Sequence, residues 1–422
     1  MISLRETPRV RIIPCSRPSP VGPIISPEEC ESLERDPTSA RTRLVVSRLE
    51  STPLRSLWGI LVTLFLTGVA VGGGGCTDGV PEGERSMFRE DARRMGSYEP
   101  GSTSDGTELW HFKTGRQVRA SATVADSTVF IGSFDDALYA LDSQTGAERW
   151  RFETGDDVFS TPAVFGGKVY VGSADRFVYA LDAETGEVEW RFRTGGEVSA
   201  SPAVVEDRVY VGSADSSVYA LDMRTGEVEW RFEAEGSIVS SPAVARGTVY
   251  VGGLHRHVYA LNAETGAEQW RFEAEDGIFS TPAVVTGTLY VGSLDSHLYA
   301  LDAENGSERW RFETGNDVVA SPAVSGRTVS IGSTDGSLYA LNAETGEERW
   351  SLAVGRFIFS SPTISGETVY VGSPDTHLYA IDLETGNQRW RFETRSGVAS
   401  SPAVAGGKIY FGSLDGNVYA LE

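Results

Sequence analysis

Few side chains in this chain have the type and spacing to do chemistry. Three of its five histidines are the first candidates, because His255 and His257 lie two residues apart and His297 falls at the place of His257 in the next copy of a forty-residue repeat. Neighbouring copies could bring these three within reach of a transition metal. No carboxylate or thiolate motif accompanies them, so they are expected to be exposed strand-end residues, and no metal is expected. An aspartate recurs once per copy, at Asp135, Asp175, Asp215, Asp295, Asp335, Asp375 and Asp415, with His255 in its place in the fourth copy. Ligands spread one per copy are too far apart to share an ion, and capping of a turn accounts for them. Just before a repeated Ser/Thr-Pro pair the copies disagree: Arg119, Phe159, Ser199, Val239, Phe279, Val319, Phe359 and Ala399. Aromatic and arginine side chains are what protein-binding patches favour, so Arg119, Phe159, Phe279 and Phe359, joined by Arg356 and Phe357, form a candidate binding face with His255, His257 and His297. The alternative is that the phenylalanines plug a central channel. Phosphate-binding glycine loops, His-Glu-x-x-His and Gly-x-Ser-x-Gly are absent, and no serine copy is singled out by a nearby histidine.

What must position these residues is written in the tryptophans. Trp110, Trp150, Trp190, Trp230, Trp270, Trp310, Trp350 and Trp390 recur at a spacing of forty. Each copy, as in Ser201 to Glu233, holds four short segments rich in β-branched and aromatic residues. Four strands per copy, termed A to D, make one blade of a propeller. Between C and D an Asp/Asn-x-x-Thr/Asn-Gly turn ends at Gly146, Gly186, Gly226, Gly266, Gly306, Gly346 and Gly386. Proline at 162, 202, 242, 282, 322, 362 and 402, replaced by Ala122 in the first copy, marks A as the edge strand lining the channel.

The repeat opens with a lone D segment, Glu108 to Lys113, and closes with A, B and C segments ending at Leu421. The fold expected is therefore all-β, an eight-bladed propeller of four-stranded antiparallel blades over residues 108–422. Its last blade takes its outer strand from the N-terminal side, which leaves no open sheet end.

The run from Ala140 through Asp142, Thr145 and Gly146 to Trp150, repeated down the chain, resembles the tryptophan-docking motif of the pyrroloquinoline-quinone-type propellers. The resemblance implies that each indole packs between neighbouring blades, in room left by the alanine and glycine of the motif. It also implies either a quinone-dependent dehydrogenase or a non-enzymatic propeller lipoprotein of the outer-membrane assembly machine. The dehydrogenases carry an adjacent-cysteine disulfide against the cofactor, and acidic and calcium-binding residues on inserted loops. Residues 108–422 contain no cysteine and have short, uniform loops, so no cofactor is expected, pyrroloquinoline quinone being the alternative.

Charge sets the surroundings. The net charge is -22, and residues 108–422 hold 45 acidic against 24 basic residues, with lysine only at 113, 168 and 408. A ring so negative repels itself unless salt screens it, which points to a protein of high-salt surroundings and excludes nucleic acid as a partner. Leu57 to Val71 is an uncharged run followed by Gly72 to Gly75 and Cys76. It has the length of a signal-peptide core, with an uncleaved anchor as the alternative, and the small residues before Cys76 resemble a lipidation site. Residues 57–76 are thus expected to be a signal and lipidation segment or a membrane anchor, and 77–107 a flexible acidic tether. Residues 1–56, rich in proline and arginine, fit neither; translation is expected to begin nearer Leu54, or this segment forms a disordered tail.

These observations lead to an expectation of a monomeric ring outside the cytoplasm, lipid-anchored through Cys76 and without catalytic residues, which binds or scaffolds an envelope protein partner. The alternative is a quinone- or metal-dependent oxidoreductase.

Overall fold

The computed structural model describes residues 105–422, together with the backbone of two short strands, Ala70–Val71 and Arg85–Ser86. These two strands pair with Ala323–Val324 and Val164–Phe165, respectively. Cys76 and the segments 1–56, 57–76 and most of 77–107 otherwise lie outside the described residues. Among the described residues no helix is long and apolar enough to cross a membrane.

Each blade follows the sequence pattern closely. In blade 3, strands A to D are Ala203–Val205, Arg208–Ser213, Ser217–Asp222 and Val228–Glu233, antiparallel and in that order across the sheet. Strands B and C are apolar along almost their whole length and lie buried between neighbouring sheets. Strand D alternates: Trp230 and Phe232 turn inward while Glu229, Arg231 and Glu233 face solvent. The A strands of successive blades face one another around the centre. Pro202 lies just before strand A rather than inside it, so the residue without an N–H stands outside the ladder.

The Ser or Thr amide before each proline reaches sideways to the next blade. The N–H of Thr161 donates to Ser201 Oγ at 2.9 Å, Ser201 to Ser241, Ser241 to Thr281, Thr281 to Ser321, Ser321 to Ser361, Ser361 to Ser401, and Ser401 to Ser121 at 3.0 Å. This belt of buried bonds runs around the channel and crosses the join between the chain's two ends.

Closure occurs in blade 8, where Glu108–Lys113 pairs antiparallel with Asn417–Leu421, itself followed inward by Lys408–Gly412 and Ala403–Ala405. The turn is composite as well. Gly106 and Thr107 donate their amides to the Glu422 carbonyl at 3.0 Å, and Gly106 forms the seat of Trp390.

Each of the eight repeat indoles is seated on the next blade. Trp150, in blade 1, donates from Nε1 to the Ala183 carbonyl of blade 2 at 3.0 Å, and Gly186 lies so close that a Cβ there would stand 2.7 Å from the ring. Gly186 also has φ of +74°, so glycine is required both for the turn and for the approach. The strand B tyrosine converges on the same acceptor. In blade 3, Tyr210 Oη and Trp230 Nε1 both donate to the Ala263 carbonyl, at 3.0 and 2.9 Å.

Candidate functional site at the loop face

The loops joining D to A and B to C emerge on one face, and there each repeated aspartate is a hub. In blade 2, strand C is Phe177–Asp182. Asp175 accepts the Phe177 amide on Oδ1 at 2.9 Å, and on Oδ2 the Tyr179 hydroxyl at 2.6 Å and the Gly155 amide at 2.8 Å. One carboxylate thus caps its own turn and ties down the loop arriving from the previous blade. Burial and the adjacent Asp175 push the Tyr179 phenol up, holding it as a donor at physiological pH. The turn-capping role expected from the sequence is what these distances show.

Blade 4 departs from this scheme. Its strand C is His257–Asn262, and His255 stands at the hub with Gly253 where the other copies have serine. Gly253 and Gly236 make the room, since a Cβ on either would come within 2.1 and 3.0 Å of the imidazole. His255 Nε2 lies 2.8 Å from Tyr259 Oη, while Nδ1 is buried without a partner. The rings of His255 and His257 are 5.4 Å apart. His257 is buried and His297 is held over its own turn by the Asp295 carbonyl at 2.9 Å, so these are not the exposed strand-end histidines expected. The reason is that the strand begins under the arriving loop, which covers its first side chain.

Burial first, then the neighbouring His257, depress the His255 pKa below the ordinary 6.5. A group with a depressed folded pKa contributes stability that is complete above its unfolded pKa and is lost as pH falls towards the folded one. The melting temperature is therefore expected to fall from about pH 6.5 downward, and the slope to flatten in the Gly253→Ser/His255→Asp variant, which restores the repeat consensus. An identical slope in both proteins, measured by calorimetry across that range, would contradict the assignment.

The strongest departure from the repeat lies over blades 1 and 2. The Arg119 guanidinium stacks over Phe134 at 5.1 Å, and Phe134 meets Phe159 edge-on at 4.5 Å. Arg119 Nη2 donates to Gln117 Oε1 at 3.2 Å, but Nε and Nη1 are buried and unpartnered. Beside them Asp136, Asp156 and Asp157 bring carboxylate oxygens within 4.8 Å of one another, the one such group of potential metal ligands among the described residues. Arg116 pairs with Asp157 at 3.1 Å. Burial, opposed by Arg116 and reinforced by Asp156 and Asp136, pushes the Asp157 carboxyl up to about 6. This arrangement can share a proton, hold a divalent cation or receive an anion.

The other candidates are dispersed. Phe159 and Phe279 are each only 7% exposed, in separate clusters, Phe279 packing with Val239 and Val319. Phe357 is 45% exposed and stacks on Phe359 at 5.8 Å, next to the exposed Arg356. The structure thus brings together His255 with His257 and Phe357 with Phe359, and links Arg119 to Phe159 through Phe134. Arg116, Phe134, Asp136, Asp156 and Asp157 gather where two variable loops adjoin, an asymmetry on the otherwise uniform ring. Their signal in the sequence was the disagreement of these positions with the other copies.

In sequence, residues 98–231, 215–321 and 295–422 match the family described as outer membrane protein assembly factor BamB. No curated protein matches the chain in sequence. In structure it is similar to BamB from Moraxella catarrhalis, with 21% identity and a TM-score of 0.66 over 75% of this chain and 99% of that one. The computationally designed Ika8 protein is similar at 20% identity and a TM-score of 0.67, with the same coverage. The quinohemoprotein alcohol dehydrogenase of Comamonas testosteroni is similar at 17% identity and a TM-score of 0.66, over 78% of each chain. At these identities the structures share the fold alone. The matched segments span most of the chain, which therefore belongs to the family described as outer membrane protein assembly factor BamB, a pyrroloquinoline-quinone-type eight-bladed propeller.

Proposed function

We propose that this protein is a membrane-associated binding propeller, lipid-anchored through Cys76 outside the cytoplasm, whose loop face engages an envelope protein. The observation that carries this reading is the gathering of non-repeat side chains on one face, with Phe357 exposed beside Arg356 on an otherwise well-bonded ring. The family description and the 99% coverage of the Moraxella catarrhalis BamB chain support it. A rigid closed ring loses little conformational freedom on binding, so a small surface patch suffices for capture. Purification from membranes of the native protein beside a Cys76→Ser variant tests it. The expected result is a lipidated Cys76, a reproducible envelope partner, and loss of membrane retention in the variant. An unmodified Cys76 with no partner would contradict the reading.

A second reading, a quinone- or metal-dependent oxidoreductase, is favoured by the acidic group at the loop face and by the dehydrogenases among the similar structures. Asp136, Asp156 and Asp157 would hold a divalent cation, and the unpartnered nitrogens of Arg119 would meet anionic groups of the quinone. A bound cation would polarise a quinone carbonyl as a Lewis acid. Saturable calcium-dependent uptake of pyrroloquinoline quinone, followed by absorbance and lost in Asp156→Asn/Asp157→Asn, would establish this reading; absence of uptake would remove it.

A further inference from the structure

On the loop face the D-to-A loops are divided by charge, while the B-to-C turns are mixed, with Arg176 in blade 2, Arg256 in blade 4 and Asp136 in blade 1. The three loops entering blades 7, 8 and 1, residues 354–359, 394–399 and 114–119, contain Arg356, Arg395, Arg116 and Arg119 and no carboxylate. The five loops entering blades 2 to 6 contain carboxylates in every copy, from Asp156 and Asp157 to Asp317, and no cation. Because the chain closes between blades 8 and 1, the three basic loops are consecutive around the ring although far apart in sequence. The strand D residue before these loops is Ala353, Glu393 or Lys113, where the other copies have Glu153, Arg193, Glu233, Glu273 and Glu313. The hub aspartates lie in both sectors and so leave the contrast intact: Asp375 and Asp415 accept backbone amides, and Asp135 takes the Gly115 amide on Oδ2 while its Oδ1 is buried without a partner.

The arginines are available to different degrees. Arg116 reaches across the sector border to Asp157, and Arg119 is stacked on Phe134. Arg356 and Arg395 are exposed, and among the described residues neither finds a carboxylate. Next to Arg356 in the same loop stands the stacked pair Phe357 and Phe359, with Phe357 the one aromatic residue among the largely exposed hydrophobics of the described residues. A protein of net charge -22 repels acidic partners almost everywhere, so a local basic sector with an aromatic anchor decides where such a partner can approach.

We propose that the sector formed by Arg356, Phe357, Phe359 and Arg395 docks an acidic segment of a partner protein that carries an apolar residue for the phenylalanines. This deepens the binding reading above and rests on it. The arginines steer the segment and fix its register, while Phe357 supplies the contact that salt does not screen.

The test uses a fluorescein-labelled peptide alternating glutamate with leucine, its lysine counterpart, and anisotropy titrations at low and high salt. The glutamate peptide is expected to bind the native protein and to lose affinity about tenfold or more in Arg356→Glu/Arg395→Glu, and Phe357→Ser is expected to weaken the binding that persists in high salt. The lysine peptide is expected to be indifferent to the arginine variant. Melting curves of the variants check that the ring remains folded. Equal binding of the glutamate peptide to native and arginine-variant protein, or none to the native protein, would overturn the proposal. So would self-association in sedimentation that the arginine variant abolishes, which would assign the sector to a second copy. A partner captured only at the loops entering blades 2 to 6 would sink this sector assignment while leaving the loop-face reading standing.

Discussion

Deleting residues 105–113 is expected to lower the melting temperature by on the order of 10 °C or more, since a lost indole alone removes ~3–5 kcal/mol and each kcal/mol is ~2–4 °C in a domain of this size class. The segment does three things at once. It pairs along Asn417–Leu421, it places Trp110 against the Ser143 carbonyl at 3.2 Å, and it supplies Gly106 as the seat of Trp390. Without it the edge of Asn417–Leu421 is open to pairing with another chain, so aggregation on heating is expected as well. The Ser401-to-Ser121 bond would then be left to hold the join with little support. An unchanged melting curve would mean that the ring does not close through this strand.

The docked indoles are the second large effect. Trp270→Ala is expected to cost ~3–5 kcal/mol in urea unfolding, because the side chain is almost wholly buried between blades 4 and 5 and its removal leaves a cavity there, the Ala303 carbonyl keeping only the Tyr250 hydroxyl. The seat can be tested from the other side. Gly306 has φ of +75°, and a Cβ there would lie 2.6 Å from the Trp270 ring. Gly166 in the A-to-B turn has φ of +58° with nothing within 4 Å of such a Cβ. Both alanine variants carry backbone strain of ~1 kcal/mol, but only Gly306→Ala should displace the indole. A similar loss of stability in the two variants would show that the tryptophan is not seated on this glycine.

The ring itself was readable in the sequence, for a physical reason. Forty-residue recurrence of Trp150 and its equivalents, with glycine ending each turn, leaves one way to bury an indole, against the next copy. The orphan strand Glu108–Lys113 then had one vacancy to fill. The Ser/Thr belt was half readable. Pro202 and its equivalents marked an edge, but the acceptor for each preceding amide belongs to the next blade, and no local pattern names it. The site was harder. Phe159 and Phe279 share one repeat position with Phe359, yet their surroundings come from the neighbouring loops, which bury the first two in separate clusters. Asp136, in a B-to-C turn, meets Asp156 and Asp157 of the next D-to-A loop only because adjacent blades bring the two turns together. His255 was visible as an exception to the aspartates. That Gly253 and Gly236 make its room, and that its Nδ1 is left without a partner, required the structure.

The central claim is that the loop face is where this ring meets an envelope protein. A photo-crosslinking residue at the position of Phe357, beside a control at Ala267 in the exposed C-to-D turn of the opposite face, tests it most directly in intact cells. The account predicts a defined adduct with an envelope protein from position 357 and none from 267. Adducts from 267 alone, or none from either while the purified protein takes up pyrroloquinoline quinone with calcium, would contradict it.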